Sequence, residues 1–152
     1  MSTSVLSNRR TAVQIAATAV GAVFLLVGVL GFIPGITAGP GIGLAGHHSE
    51  AFLLGLFQVS VLHNVVHLLF GVAGLALGRS VAGAKGYLAW GGAVYLVLFV
   101  YGLVFGGETA ANFVPLNAAD NVLHLVLGMG MLGLGVVLGH TAAVRPVHVT
   151  HR

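Results

Sequence analysis

His63 and His67 lie four residues apart in the stretch Ser60-Val-Leu-His63-Asn64-Val-Val-His67-Leu-Leu-Phe-Gly71. The pattern returns 57 positions later as Asn117-Ala-Ala-Asp120-Asn121-Val-Leu-His124-Leu-Val-Leu-Gly128. A four-residue spacing places two side chains on one face of a helix, where a pair of imidazoles can reach one ion. If the helices carrying the two copies face each other, His63, His67, Asp120 and His124 converge as three imidazoles and a carboxylate. That set suits zinc or another divalent first-row metal. His67 and His124 alone suit axial ligation of a single haem b.

The same residues also read as structure, and that reading leads. Asn117 followed three residues later by Asp120 is a variant capping box, with Ser60 and His63 at the equivalent positions. Asp120 near a helix N-terminus also complements the helix dipole. His67 and His124 would then hydrogen-bond across a bundle to Asn64, Asn121 or a loop carbonyl. The exchange of His63 for Asp120 between the copies suits a hydrogen bond between those two better than symmetric haem ligation. Ser60, Asn64, Gly71, Asn117, Asn121 and Gly128 are the expected capping and packing positions, and no residue is singled out as catalytic.

The elements that must carry these residues are membrane helices. Of 152 residues, 57% are apolar and 6% charged, against about 25% charged in soluble domains. The mean hydropathy is +1.03. No cysteine is present, which excludes disulfides, thiolate metal sites and cysteine nucleophiles. A polar leader covers residues 1–10. Apolar runs predict spans at about 11–33, 60–78, 86–105 and 118–139, each close to the roughly 20 residues a bilayer requires. A cleaved signal peptide is the competing reading of the first run, which is longer than such a segment's usual apolar stretch. Residues 34–50, 79–85 and 106–116 read as loops, 51–59 as an interfacial or re-entrant piece, and 140–152 as a cytoplasmic tail in which His148 and His151 are solvated.

With a cytoplasmic N-terminus, Arg9, Arg10, Arg79, Lys85, Arg145 and Arg152 fall inside and Glu50, Glu108 and Asp120 outside, in agreement with the positive-inside rule. Spans one and two and spans three and four then form two hairpins of the same orientation, related by an axis along the membrane normal. The repeated polar stripes should face the bundle interior, because polar groups facing lipid cost several kcal/mol. This leaves no strong cation near the histidines to hold haem propionates. Gly74 with Gly78, Gly102 with Gly106, and Gly135 with Gly139 have the spacing of close helix packing.

Leu53-Leu-Gly-Leu-Phe57, the histidine stretch from Leu62 to Gly71 and the stretch from Asp120 to Gly128 resemble the bacterial membrane-protein family called domain of unknown function 4383 over roughly residues 10–140. The resemblance implies a four-helix integral membrane protein and supplies no activity.

The fold expected is therefore all-α, a four-helix membrane bundle of two related hairpins in the bacterial plasma membrane. No ionisable group lies in the middle of a span to relay protons, and no serine or threonine is placed beside a histidine as in a hydrolase. Gln14, Thr18, Tyr95 and Tyr101 read as packing or interface residues. Six basic residues against three acids are too thin a charge for nucleic acid. The expected role is that of a small structural or accessory protein whose partners are the lipid bilayer and itself or other membrane proteins. The alternative is a binder of a divalent metal or haem at the outer ends of spans two and four.

Overall fold

A computed structural model of the protein describes residues 10–143. The leader up to Arg9 and the tail bearing Arg145, His148, His151 and Arg152 lie outside the described residues. Four helices carry the chain: α1 (Ala12–Leu30), α2 (Val61–Leu77), α3 (Val81–Phe105) and α4 (Ala118–Ala143). Between α1 and α2 runs a small antiparallel sheet of β1 (Thr37–Ala38), β2 (Ala51–Leu53) and β3 (Phe57–Val59), in that order. The fold is an all-α bundle with a sheet at one end. Ala12–Leu30, Val81–Phe105 and Ala118–His140 are long and apolar enough to cross a membrane, while α2 has 17 residues.

Three local readings of the sequence are corrected. The first helix stops at Gly31, short of Pro34-Gly35, and Thr37 Oγ1 donates back to the carbonyl of Leu30 (3.1 Å). The stretch 51–59, expected as an interfacial or re-entrant piece, is not helical but a β-hairpin, paired Ala51 with Val59 and Leu53 with Phe57. Its three-residue loop, Leu54 to Leu56, has positive φ at two successive residues, Leu54 (55°) and Gly55 (68°), and the Leu56 N–H donates to the Leu53 carbonyl (3.1 Å). The expected loop 79–85 is mostly helix, since α3 begins at Val81 with Ser80 as its cap, Ser80 Oγ accepting from the Gly83 N–H (3.0 Å).

The helices pair as hairpins, α1 chiefly against α2 and α3 chiefly against α4. Glycines set how close each pair comes. A Cβ on Gly21 would lie 2.9 Å from the Gly71 carbonyl oxygen and 2.9 Å from Gly74 Cα; one on Gly92 would lie 2.8 Å from the Gly128 carbonyl oxygen and 2.7 Å from Leu132 N. Backbone therefore meets backbone, and van der Waals packing replaces the hydrophobic drive that lipid removes. Between the hairpins lies the core of Val13, Ala17, Phe24, Ala84, Tyr87, Leu88, Tyr95 and Met131. A second cluster, Ala51, Leu53 and Val59 with Val27 and Leu30, seats the sheet on α1.

Both ends are tied by polar groups. Gln14 accepts from the Thr11 N–H through Oε1 (3.0 Å) and donates through Nε2 to the Arg79 carbonyl (2.8 Å), fixing the start of α1 to the α2–α3 turn. Lys85 packs along Gly139 at the same end. At the sheet end, Glu50 and Glu108 border one depression with His47, His48 and Gln58. The first donors of α2, the N–H groups of Val61 and Leu62, reach the carbonyls of Gly43 and Leu44 (both 3.0 Å), so the loop supplies what a helix N-terminus lacks.

Two substitutions test this packing. Gly21→Ala should destabilise the fold by about 1–3 kcal/mol, seen as a lower thermal midpoint in detergent. Gly130→Ala, which meets nothing within 4 Å, should be neutral or gain up to about 1 kcal/mol. Leu54→Asn should raise the midpoint by relieving about 1 kcal/mol of left-handed strain; an unchanged or lower midpoint would contradict the turn geometry.

Candidate functional site

The two copies of the motif open α2 and α4 at the sheet end, and each begins with a cap. Ser60 Oγ accepts from the His63 N–H (3.1 Å). Asn117 and Asp120 close a reciprocal box: Asp120 N–H donates to Asn117 Oδ1 (3.0 Å) and Asn117 N–H to Asp120 Oδ2 (3.0 Å). The same Oδ2 accepts from the backbone N–H of Gln58 in β3 (3.1 Å). Asn117 Nδ2 donates to the Leu56 carbonyl (2.8 Å). The cap of α4 thus holds the sheet that belongs to the other hairpin.

Asn64 and Asn121 hold equivalent positions in their hairpins. A Cβ on Gly31 would fall on Asn64 Oδ1, and one on Gly102 would fall on Asn121 Oδ1. Each glycine therefore leaves the notch into which the asparagine amide fits, with a Cα–H directed at its oxygen, a weak contact that recurs between helices. Gly71 and Gly128 match as well, a Cβ on the first meeting Leu25 and on the second Leu96.

The histidines are linked through aromatic rings. His63 and His67 stack at 4.4 Å between centroids with 13° between planes. His67 lies 5.4 Å from Phe24, Phe24 stacks on Tyr95 at 5.3 Å, and Tyr95 meets His124 edge-on at 5.2 Å. A chain of ring contacts thus runs from α2 to α4 through α1 and α3. His67 Nδ1 lies 3.0 Å from the carbonyl oxygen of His63. A carbonyl can only accept, so Nδ1 carries the proton and Nε2 keeps its lone pair. His63, His67 and His124 all border one cavity of about 280 Å³, walled otherwise by apolar and aromatic side chains.

Asp120 does not join them on that cavity; its Oδ2 is engaged by two backbone donors. Among the described residues no group of three or more His, Asp or Glu side chains is disposed to hold a metal ion.

Several residues that organise the site were missed from the sequence. Buried Asn112 shapes the α3–α4 loop, donating to the carbonyls of Gly107 and Leu116 and accepting from the Leu116 N–H. Buried Ser49 bridges the Gly43 N–H and the Val59 carbonyl. Gln58 donates through Nε2 to the carbonyls of His47 and Ser49. None carries a sequence signal of its own. Phe24 and Tyr95 do: Gly21-Ala-Val-Phe24-Leu25 and Gly92-Ala-Val-Tyr95-Leu96 differ only by a ring hydroxyl, at an offset of 71.

Comparison with known proteins agrees with this architecture without supplying an activity. The model of the family described as Domain of unknown function (DUF4383) matches residues 14–137, and the chain belongs to that family. No curated protein and no solved structure matches significantly.

Asp120→Ala should leave the buried Gln58 N–H without its acceptor, at about 1–3 kcal/mol, and the part-buried Asn117 N–H as well, at less. A large fall in thermal midpoint is expected, with Asp120→Asn intermediate because it keeps one acceptor oxygen. Equal midpoints for all three proteins would show that the clasp carries no stability.

Proposed function

We propose that this member of the DUF4383 family is a small structural or accessory protein of the bacterial plasma membrane, built from a duplicated helical hairpin and packing against itself or other membrane proteins. One observation carries the reading: the Asp120 and Asn117 groups of the motif are engaged in holding one hairpin to the other, through Gln58 and Leu56. The equivalent contacts of Gly31 with Asn64 and Gly102 with Asn121 support duplication. Exposed apolar side chains along every helix, among them Leu26, Leu69, Val97 and Val126, suit lipid or a helical partner rather than water.

All four helices cross the bilayer in this reading, with both termini cytoplasmic. Its support is the charge pattern: Arg79 and Lys85 border the α2–α3 end, and Glu50, Glu108 and Asp120 lie at the sheet end. Basic residues favour the cytoplasmic side.

The absence of native cysteine makes single-cysteine labelling clean. Leu44→Cys should react with a membrane-impermeant maleimide in intact cells, and Arg79→Cys only after the membrane is opened; the reverse pattern would overturn the orientation. For the role itself, photo-crosslinkers at Val97 and Val126 should give discrete protein adducts in the native membrane. The purified protein should show neither a Soret band nor stoichiometric metal. A monomer at both positions together with tight metal or haem binding, lost in His67→Ala and His124→Ala, would replace the structural role with the binding one.

A further inference from the structure

The clasp uses the carboxylate and leaves the imidazoles over. His63 and His124 are 7% and 3% exposed, and the Nδ1 of each has no hydrogen-bond partner among the described residues. An unpaired buried polar atom costs about 1–3 kcal/mol, so these rings ask for a partner. With the lone pair on His67 Nε2, the wall of one cavity offers at least one acceptor and, from two rings whose tautomers are not fixed by a carbonyl, donors as well.

The cavity states what size of partner fits. A dry cavity of about 150 Å³ accepts benzene; at about 280 Å³ this one takes a single substituted ring. Phe70 and Val94 also line a neighbouring groove of about 560 Å³ along α2 and α3, which runs past Leu77, Gly86 and Trp90. Val66, Leu69, Val94 and Trp90 are 38%, 64%, 43% and 77% exposed, so cavity and groove open sideways between the two helices, towards what the helices' apolarity makes the lipid. On the sheet side, Phe113 and Val114 border the cavity. An occupant entering this way comes from the bilayer and has a ring-sized head with a long apolar chain. Among the described residues no lysine or arginine borders the cavity or the groove, which removes the counter-charge a phosphate head requires.

We propose that the α2–α3 face binds a neutral isoprenoid lipid with a single-ring, two-oxygen head, a quinol, its head among His63, His67 and His124 and its chain along the groove to Trp90. A ring hydroxyl donates to His67 Nε2, and the second oxygen accepts from an imidazole N–H of His63 or His124. The site goes beyond the structural role proposed above, and neither depends on the other.

Trp90 is the protein's single tryptophan and sits in the groove, so its emission reports occupancy. The full-length protein in nanodiscs of a zwitterionic phospholipid is titrated, under reducing conditions, with a benzohydroquinone carrying one isoprenoid unit. Saturable quenching is expected, weakened at least tenfold in His67→Leu. Val94→Phe fills the junction of cavity and groove while leaving the imidazoles in place, and should have the same effect with unchanged helical circular dichroism. It keeps the test decisive if His67→Leu does not fold. Linear, unsaturable quenching would overturn the proposal, as would saturation unaffected by Val94→Phe. Equal displacement of the quinol by an isoprenoid hydrocarbon without oxygens, or its displacement by an anionic phospholipid, would also overturn it: the first would make the groove a hydrocarbon slot and the second a phospholipid site.

Discussion

A single carboxylate oxygen accepts hydrogen bonds from two parts of the chain that lie far apart in sequence. Asp120 Oδ2 takes the N–H of Asn117, within the cap of α4, and the N–H of Gln58, in a strand that precedes α2. Without it, a buried strand amide and a helix-start amide would both lose their acceptor, in surroundings where water is scarce and unmade hydrogen bonds are expensive. The sheet has only two- and three-residue strands, too short to stand alone. It persists because it is seated on α1 below and held by the α4 cap from the side. That one clasp therefore fixes the sheet, the entry into α2 and the placement of His63 and His67 relative to the second hairpin.

Within each hairpin the same device recurs: a glycine on the first helix, an asparagine on the second, and an amide filling the space where a side chain would be. Between the hairpins the device is aromatic. Phe24 and Tyr95 hold matching places in their own hairpins and stack on each other at 5.3 Å, each with a histidine of its own hairpin alongside. The two hairpins differ where they touch. One has His63 on the cavity wall, and the other has at the matching position Asp120, which anchors the sheet. A symmetric pair of either residue would give two anchors or two linings but not one of each.

How far the sequence disclosed this depends on the length scale of each signal. Long apolar runs announced the helices, and the paired motif pointed to residues that do cluster at one end. Strands of three residues are too short to show alternation, so 51–59 looked merely apolar. Ser80 capping α3 was hidden because Gly83, Lys85 and Gly86 resemble a loop. The aromatic link escaped because the two motifs were compared at one offset, 57, whereas the first helices match at 71; the chain between the helices is longer in the first hairpin, where it folds into the sheet. Asp120 was placed correctly in its cap, but its second partner is a backbone amide, and a backbone amide leaves no mark on composition.

The neighbouring α2 and α3 differ in length, 17 residues against 25, or about 26 Å against 38 Å at 1.5 Å per residue. With all four helices crossing the bilayer, as proposed above, a hydrocarbon layer of about 30 Å cannot match both when they stand upright. The longer helix must lean, and the lipid beside the shorter one must thin or be met by the sheet that sits above it. The molecule thus presents a step in hydrophobic thickness around its circumference, on the side where the groove opens. Such a step stores elastic energy in the surrounding bilayer, and that energy gives the protein a preferred bilayer thickness and a preferred face for its neighbours before any specific contact is made.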